Sequence, residues 1–159
     1  MRLEPVCRRE MHYDPNAAWL RPFGKKEGAG FGYGEGTVKG PRLRGKGVWA
    51  NHPRRREDGV WCPDCHGFTT TDDAVKILFT IQGYSIDEST PTVRRALEAA
   101  IWFHAQDERY RWLNYHMCIG EGEIDEDHRG VVVQCQRGRE QGRGCFAEDR
   151  VGEAAVGVV

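Results

Sequence analysis

The densest set of reactive side chains in the sequence is the stretch Cys62-Pro63-Asp64-Cys65-His66. A C-x-x-C-H pattern occurs at haem c attachment sites, and a C-x-x-C pattern occurs in thioredoxin-type dithiols. The first needs an exported chain and the second a cysteine at a helix N-terminus, and neither is predicted here. Zinc is a third alternative, with His52 as a further ligand, but a closed zinc site usually has a second paired ligand motif. We therefore favour packed free thiols and assign no metal ligand.

A second source of chemistry is the alternation of polar and aromatic residues along predicted strands, because alternate residues share one face. Asp64 and His66 share a face, and so do Trp112, Asn114 and His116. If these faces point into a barrel, a carboxylate or imidazole can remove a proton from a carbon acid while an amide or phenol stabilises the oxyanion. The alternative is that the same faces meet solvent while the intervening apolar residues fill a packed core.

These considerations give two groups of candidate site residues. The catalytic candidates are Asp64, His66, Tyr110, Asn114 and His116, and the candidates for ligand contact are Glu35, Trp49 and Trp112. Proton transfer among them needs no cofactor, and none is predicted.

The elements that must position these residues are predicted to be mostly short β-strands, rich in β-branched and aromatic residues. Glycine supplies 20 of the 159 residues and concentrates in Gly28–Gly47. No apolar helix follows this run, which argues against a phosphate-binding loop and favours glycines at bends of a closing sheet. The other predicted strands are Arg2–Tyr13, Val48–Asn51, Val60–Thr71, Val75–Tyr84, Arg111–Glu121 and Gly130–Gln136.

One segment departs from the strand pattern. Thr90-Pro91 is a good helix start, and the apolar spacing that follows predicts a short helix to about Glu98. The residues beyond it, to Ala105, fit either a helix or a strand by periodicity. Gly138–Val159 is charged and glycine-rich without alternation, which predicts a disordered or loosely docked tail.

Composition excludes several function classes. The 23 Lys and Arg residues balance 24 Asp and Glu residues, for a net charge of −1, which argues against a nucleic-acid partner. No apolar run approaches the roughly 18 residues of a membrane span, and the N-terminus has no secretory apolar region, so we expect no membrane association and a cytoplasmic location. The expected partner is a small-molecule ligand or substrate, and a homo-oligomer is compatible with the sequence.

Several motifs follow one another in a recognisable order: Gly36–Gly45, Asp58-Gly59, Asp64, Thr71–Ala74 and Arg109–Asn114. This order resembles the DUF3237 (UPF0311) family of small bacterial β-barrels, whose architecture is similar to that of allene oxide cyclase barrels. The resemblance covers roughly residues 1–137 and implies a strand at Ile101–Ala105. This sequence departs from the family pattern at Asp73, where a glycine is usual, and in its Cys-Pro-Asp-Cys-His stretch.

Together these features predict an all-β protein: a single small antiparallel barrel of about eight strands with one short helix over residues 1–137, and a tail over 138–159. The predicted function is binding of a small aromatic or alicyclic molecule, with cofactor-independent isomerase, cyclase or lyase chemistry. The alternative is a non-catalytic barrel for a small apolar ligand. Fold analogy alone carries little functional weight.

Overall fold

The computed structural model describes residues 2–24, 26–88, 95–125 and 130–139, which form eleven strands and one short 3-10 helix. No helix in these ranges is long and apolar enough to span a membrane. The strands are β1 (Arg2–Tyr13), β2 (Ala18–Leu20), β3 (Gly28–Lys39), β4 (Gly45–Asn51), β5 (Arg54–Arg55), β6 (Trp61–Cys62), β7 (Asp64–Thr71), β8 (Lys76–Asp87), β9 (Arg95–His104), β10 (Cys118–Ile124) and β11 (Gly130–Arg139), and the 3-10 helix is Arg111–Tyr115.

Eight of the strands close into an antiparallel barrel, which confirms the predicted fold class. The strand order around the barrel is β1, β3, β4, β7, β8, β9, β10 and β11, and β11 pairs with β1 to complete the circle. Closure removes the exposed sheet edges that otherwise invite aggregation. The short strands β2, β5 and β6 extend the wall at one end, where β5 and β6 connect β3 to β8.

The pleat of each strand separates a core face from a solvent face. On β8, Ile77, Phe79 and Ile81 are almost fully buried in the barrel, whereas Leu78 and Tyr84 are exposed on its outer wall.

Glycines of β3 make room for aromatic rings inside the barrel. A Cβ at Gly30 would lie 2.5 Å from Trp19 Cε3, one at Gly32 would lie 2.5 Å from Tyr13 Cε1, and one at Gly34 would lie 3.0 Å from Trp49 Cζ2. We call Gly30, Gly32 and Gly34 the glycine track. At these positions β3 has no inward side chain, so rings from three neighbouring strands pack directly against its backbone. These glycines therefore do more than mark bends in the sheet.

The 3-10 helix closes the opposite end of the barrel, which we call the base. Leu113 is fully buried there. Asn114 fixes the helix to the end of β9, since its Oδ1 accepts from the Ala105 N–H at 2.7 Å and its Nδ2 donates to the Ala105 carbonyl at 2.8 Å.

Two predicted elements are wrong. The helix predicted to reach Glu98 is contradicted where the structure describes it, because Arg95–Glu98 belong to β9; Thr90-Pro91 lie outside the described residues. The strand predicted from Arg111 begins only at Cys118, since its first five residues form the 3-10 helix held by Asn114.

Other boundaries shift less. The strand predicted over Val60–Thr71 is interrupted at Pro63, which has no N–H for the ladder, so β6 and β7 are separate. Strand β11 continues through Arg139. Residues 140–159 lie outside the described residues, so the tail stays a prediction.

Candidate functional site

A cavity of about 450 Å³ lies inside the barrel at the end that carries β2, β5 and β6. We call it the barrel cavity. Its volume is within the range of small-molecule sites, which are typically 300–1,000 Å³. It reaches the surface beside Leu20 and Arg21, while the base is closed by Leu113. The lining includes Tyr13, Trp19, Trp49, Asn51, Pro53, Arg55, Trp61, Pro63, Cys65, Ile81, Ser85, Asp87, Arg95, Leu97 and Val133.

One wall of the barrel cavity is aromatic. The Tyr13 ring contacts Trp49 edge to face, with centroids 4.4 Å apart, and Trp19 likewise at 5.5 Å. Trp19 also meets Trp61 edge to face at 5.7 Å. Edge-to-face pairs such as these are favoured by the ring quadrupoles and fix the rings relative to one another. The wall can therefore pack against a flat, apolar ligand without first being ordered by it.

Asn51 positions the Tyr13 hydroxyl. The Asn51 amide Nδ2 donates to the Tyr13 oxygen at 2.8 Å, and its Oδ1 accepts from the Asp64 N–H at 2.9 Å. Burial raises the pKa of Tyr13 to about 12, although the Asn51 hydrogen bond opposes the shift. The phenol consequently remains protonated at neutral pH and is available as a hydrogen-bond or proton donor.

Arginines supply most of the charge around the barrel cavity. Arg95 is only 5% exposed, and it binds Asp87 at 3.2 Å and Ser85 Oγ at 2.9 Å. Arg55 lies with its guanidinium 5.9 Å from the Trp61 ring centroid, and its buried Nε has no acceptor in the described part of the chain. The indole Nε1 of Trp49 is likewise buried without an acceptor there.

Asp64 and His66 do not face the barrel cavity. They point outward from β7, with exposed side chains, and the His66 Nε2 lies 3.0 Å from Asp64 Oδ1. Gln82 donates to the same oxygen at 2.7 Å, and this bond, with help from His66, lowers the pKa of Asp64 although partial burial opposes the shift. Of the two orientations that the sequence leaves open for this pair, the structure shows the outward one, because the alternate residue Cys65 takes the inward position. Its catalytic role stays a prediction.

Glu35 also lies on the outer wall. It lines a shallow outer groove along β1, β3, β4 and β7, together with His12 and His66. The structure thus brings Glu35 near His66 on the outside of the barrel and away from the barrel cavity.

The remaining predicted residues, apart from Trp49, lie at the base. Tyr110 donates to Asp73 Oδ1 at 2.9 Å, and Asn114 brackets the end of β9. Trp112 lies between two guanidinium groups, 4.3 Å from Arg42 and 4.8 Å from Arg137. His116 Nε2 lies 3.1 Å from Arg137 Nη1, which makes it a neighbour of Trp112. All eight predicted site residues are described by the structure, and Trp49 alone among them lines the barrel cavity.

The cysteines of the motif separate in space. Cys65 faces the interior and is 4% exposed, and burial raises its pKa to about 12, whereas His66 points outward on the same strand. Cys62 is half-buried on β6. In residues 2–24, 26–88, 95–125 and 130–139, no group of three or more His, Cys, Asp or Glu side chains is arranged to hold a metal.

The motifs and the barrel agree with a family assignment. The family model for DUF3237, a protein of unknown function, matches residues 1–137. The chain belongs to the DUF3237 family. No curated protein matches this DUF3237 chain.

Solved structures share the fold of this DUF3237 barrel at low sequence identity. A β-barrel-like protein of Acinetobacter baumannii has a TM-score of 0.77 at 17% identity, over 86% of this chain and 94% of its own. A protein of unknown function from Clostridium acetobutylicum has a TM-score of 0.78 at 15% identity, over 87% and 100%. A Penicillium herquei protein that is described as an enzyme has a TM-score of 0.63 at 20% identity, over 84% and 93%. These likenesses show the fold.

Several residues of the DUF3237 barrel cavity were missed by reasoning from the sequence. Tyr13 and Arg95 line it, yet neither belongs to a motif with recognised chemistry. A usable signal existed for Asn51, which shares a strand face with Trp49 in the predicted strand Val48–Asn51. Once Trp49 is taken to point inward, Asn51 must point inward too, because it lies two residues further along the same strand.

Proposed function

We propose that this protein binds a small aromatic or alicyclic organic molecule in the barrel cavity. The observation that carries the proposal is the preformed aromatic wall of Tyr13, Trp19 and Trp49 beside about 450 Å³ of space in a barrel closed at its base. Small-molecule sites are typically concave and largely apolar, with a few convergent polar groups. Asn51, Arg55 and the Tyr13 hydroxyl supply such groups here.

The proposal is tested by titration with a neutral aromatic probe, N-phenyl-1-naphthylamine, whose fluorescence rises in apolar surroundings. Leu97→Trp fills the barrel cavity, because Leu97 lines it, and Leu78→Trp makes the same change on the outer wall, where Leu78 is 57% exposed. We expect saturable one-site binding by the natural protein and by Leu78→Trp, and at least tenfold weaker binding by Leu97→Trp. Absence of saturable binding, or equal binding by a folded Leu97→Trp variant, would overturn the proposal.

Native mass spectrometry provides an independent readout. The purified protein is expected to carry a small organic molecule in part of the sample, and that mass should vanish in the Leu97→Trp variant. A co-purified mass that persists in this variant would place the ligand elsewhere.

Cofactor-independent acid–base catalysis, such as isomerisation, cyclisation or a lyase reaction, is a second candidate function. Two observations favour it: Tyr13, which stays protonated, and the carboxylate of Asp87 line the same cavity, and the Penicillium protein of similar fold is described as an enzyme. In this scheme Tyr13 would donate a proton or stabilise an oxyanion, and Asp87 would accept a proton.

Binding and catalysis differ in what happens to the ligand. Once a ligand has been identified by mass spectrometry, incubation with the protein followed by chromatography measures conversion. Catalysis predicts that conversion by Tyr13→Phe, measured at saturating ligand, falls below that of the natural protein, whereas recovery of unchanged ligand from the natural protein refutes catalysis and leaves binding in place.

A further inference from the structure

The charges around the barrel cavity are unbalanced. Three arginines line it, Arg21, Arg55 and Arg95, but Asp87 is the single carboxylate among the described lining residues, and it binds Arg95. Neither Arg21 nor Arg55 forms an ion pair with any residue that the structure describes. At the entrance, Arg21 and Arg55 therefore carry positive charge that no described carboxylate pairs with, and such a field attracts anions.

A further cation lies deeper in the barrel. Arg9 is 1% exposed, its guanidinium lies 3.9 Å from the Phe79 ring centroid, and it donates to Thr69 Oγ1 at 3.1 Å. In the described part of the chain it has no carboxylate partner. Burial raises the pKa of the Cys65 thiol, and the charge of Arg9 opposes that rise, so this charge also acts on the cavity lining.

The hydrogen-bonding groups of the barrel cavity show the same bias. Trp49 is 6% exposed, and its Nε1–H has no acceptor among the described residues. The Tyr13 oxygen accepts from Asn51, which leaves its O–H without an acceptor in the same ranges, and Arg55 Nε–H lacks one too. The Trp49 and Arg55 nitrogens are covered by the protein and do not open onto the cavity space, which leaves the Tyr13 O–H as the donor of these three that a ligand acceptor can pair with.

We infer that the ligand is an organic anion, namely a ring compound that carries a carboxylate. The inference rests on the proposed function and adds the chemical class. The ring packs on the aromatic wall, and the carboxylate oxygens accept hydrogen bonds from the Tyr13 O–H and the Arg55 guanidinium and offset the charge of Arg55. A guanidinium matches a carboxylate with two parallel hydrogen bonds.

Three probes with one ring system and different charges test this inference by isothermal titration calorimetry: 2-naphthoate, 2-naphthalenemethanol and 2-naphthalenemethylamine. We expect 2-naphthoate to bind at least tenfold more tightly than the alcohol, and the ammonium form to bind weakest. If the alcohol binds as tightly as the carboxylate, the inference fails and the proposed function stands. If no probe binds at millimolar concentration, the proposed function fails as well.

Adjacent arginines on β5 provide a matched pair of variants. Arg55 lines the barrel cavity, whereas Arg54 points outward and pairs with Glu27 at 2.9 Å. Arg55→Gln is expected to weaken 2-naphthoate binding at least tenfold and to leave the alcohol unchanged, because hydrogen bonds to charged groups are the stronger ones. Arg54→Gln should bind both probes as the natural protein does. Equal loss in both variants would assign the anion preference to general surface charge and overturn the inference.

Removal of the phenol donor locates the carboxylate. Tyr13→Phe keeps the aromatic ring but loses the O–H, and it should weaken 2-naphthoate binding several-fold more than it weakens alcohol binding. A loss that is equal for both probes would mean that only ring packing has changed, and it would contradict the assignment of this donor. The probe series on the natural protein decides the inference even if a variant fails to fold.

Discussion

Three alanine substitutions at inward-facing glycines should change stability in different directions. At Gly47 the atom nearest to a new Cβ is the Phe68 carbonyl oxygen at 3.5 Å, which is ordinary contact, and its φ is not positive. Gly47→Ala should therefore stabilise the protein by about 0.4–1 kcal/mol, because alanine has fewer conformations to lose on folding. The other two substitutions, at Gly32 and Gly34, meet atoms that have little freedom to move.

The expected losses follow from which atom is displaced. At Gly32 the Cβ would lie 2.5 Å from a Tyr13 ring that is held by Asn51, so overpacking should cost about 1–3 kcal/mol. At Gly34 it would lie 1.8 Å from the His12 carbonyl oxygen, so β1 would have to move away from β3 by about 1.6 Å to restore ordinary contact. Two or three ladder hydrogen bonds, worth roughly 1 kcal/mol each, would break, for a total of about 3–5 kcal/mol.

Urea unfolding followed by tryptophan fluorescence measures these differences as free energies of unfolding. A change of 1 kcal/mol should also move the thermal midpoint by about 2–4 °C in a protein of this size. The natural protein should be less stable than Gly47→Ala and more stable than Gly32→Ala, with Gly34→Ala the least stable. Similar losses in all three variants would refute the explanation, because they would indicate a general intolerance of side chains in the barrel.

Three further predictions concern acid stability, thiol reactivity and the base of the barrel. Hydrogen bonds from Arg109 lower the pKa of Asp107 to about 2, so its contribution to stability is present above pH 4 and is lost as pH falls toward 2; Asp107→Asn should flatten the acid limb of stability against pH, and an unchanged limb would contradict this. Iodoacetamide at pH 8 should alkylate Cys62 well before Cys65, as measured by peptide mass mapping, because Cys65 is buried and its pKa is raised to about 12; equal rates would show that the barrel opens readily. Asn114→Ala should cost about 1–3 kcal/mol in urea unfolding, since two backbone groups at the end of β9 lose their partners, and a cost near zero would show that water replaces the amide.

The positions of two long strands, β1 and β8, were predicted well from the sequence. The predicted strand Arg2–Tyr13 coincides with β1, and the bounds of β8 differ from the predicted ones by one residue at its start and three at its end. The number of strands left two alternatives, a second stacked sheet or closure, and the resemblance to the DUF3237 family selected closure. The 3-10 helix was missed because its five residues are too few for a period of three to be distinguished from a period of two. The 3-10 helix is stabilised by a contact outside the helix, since the Asn114 side chain forms two hydrogen bonds with the backbone of Ala105, nine positions earlier.

Which residues of a strand point into the barrel was harder to predict than where the strand begins and ends. Strand β8 has apolar residues on both faces, with Ile77 and Phe79 inside and Leu78 outside, so hydrophobicity does not determine its direction. On β7 the sequence leaves both orientations open for the reactive pair Asp64 and His66, and the pairing register places Cys65 inside instead. Position in the barrel depends on partners distant in sequence, which alternation alone does not reveal.

The pairing of β11 has a consequence for synthesis of the chain. Strand β11 lies between β10 and β1 and completes hydrogen bonding to both, with Arg2 opposite Arg139. At typical rates of 5–20 residues per second, roughly 7–25 s separate the appearance of these two partners. Throughout that interval the nascent sheet has two unpaired edges, which are templates for pairing with other chains. Risk of aggregation during translation is therefore concentrated before the last described strand emerges, and chaperones that shield strand edges would matter most then.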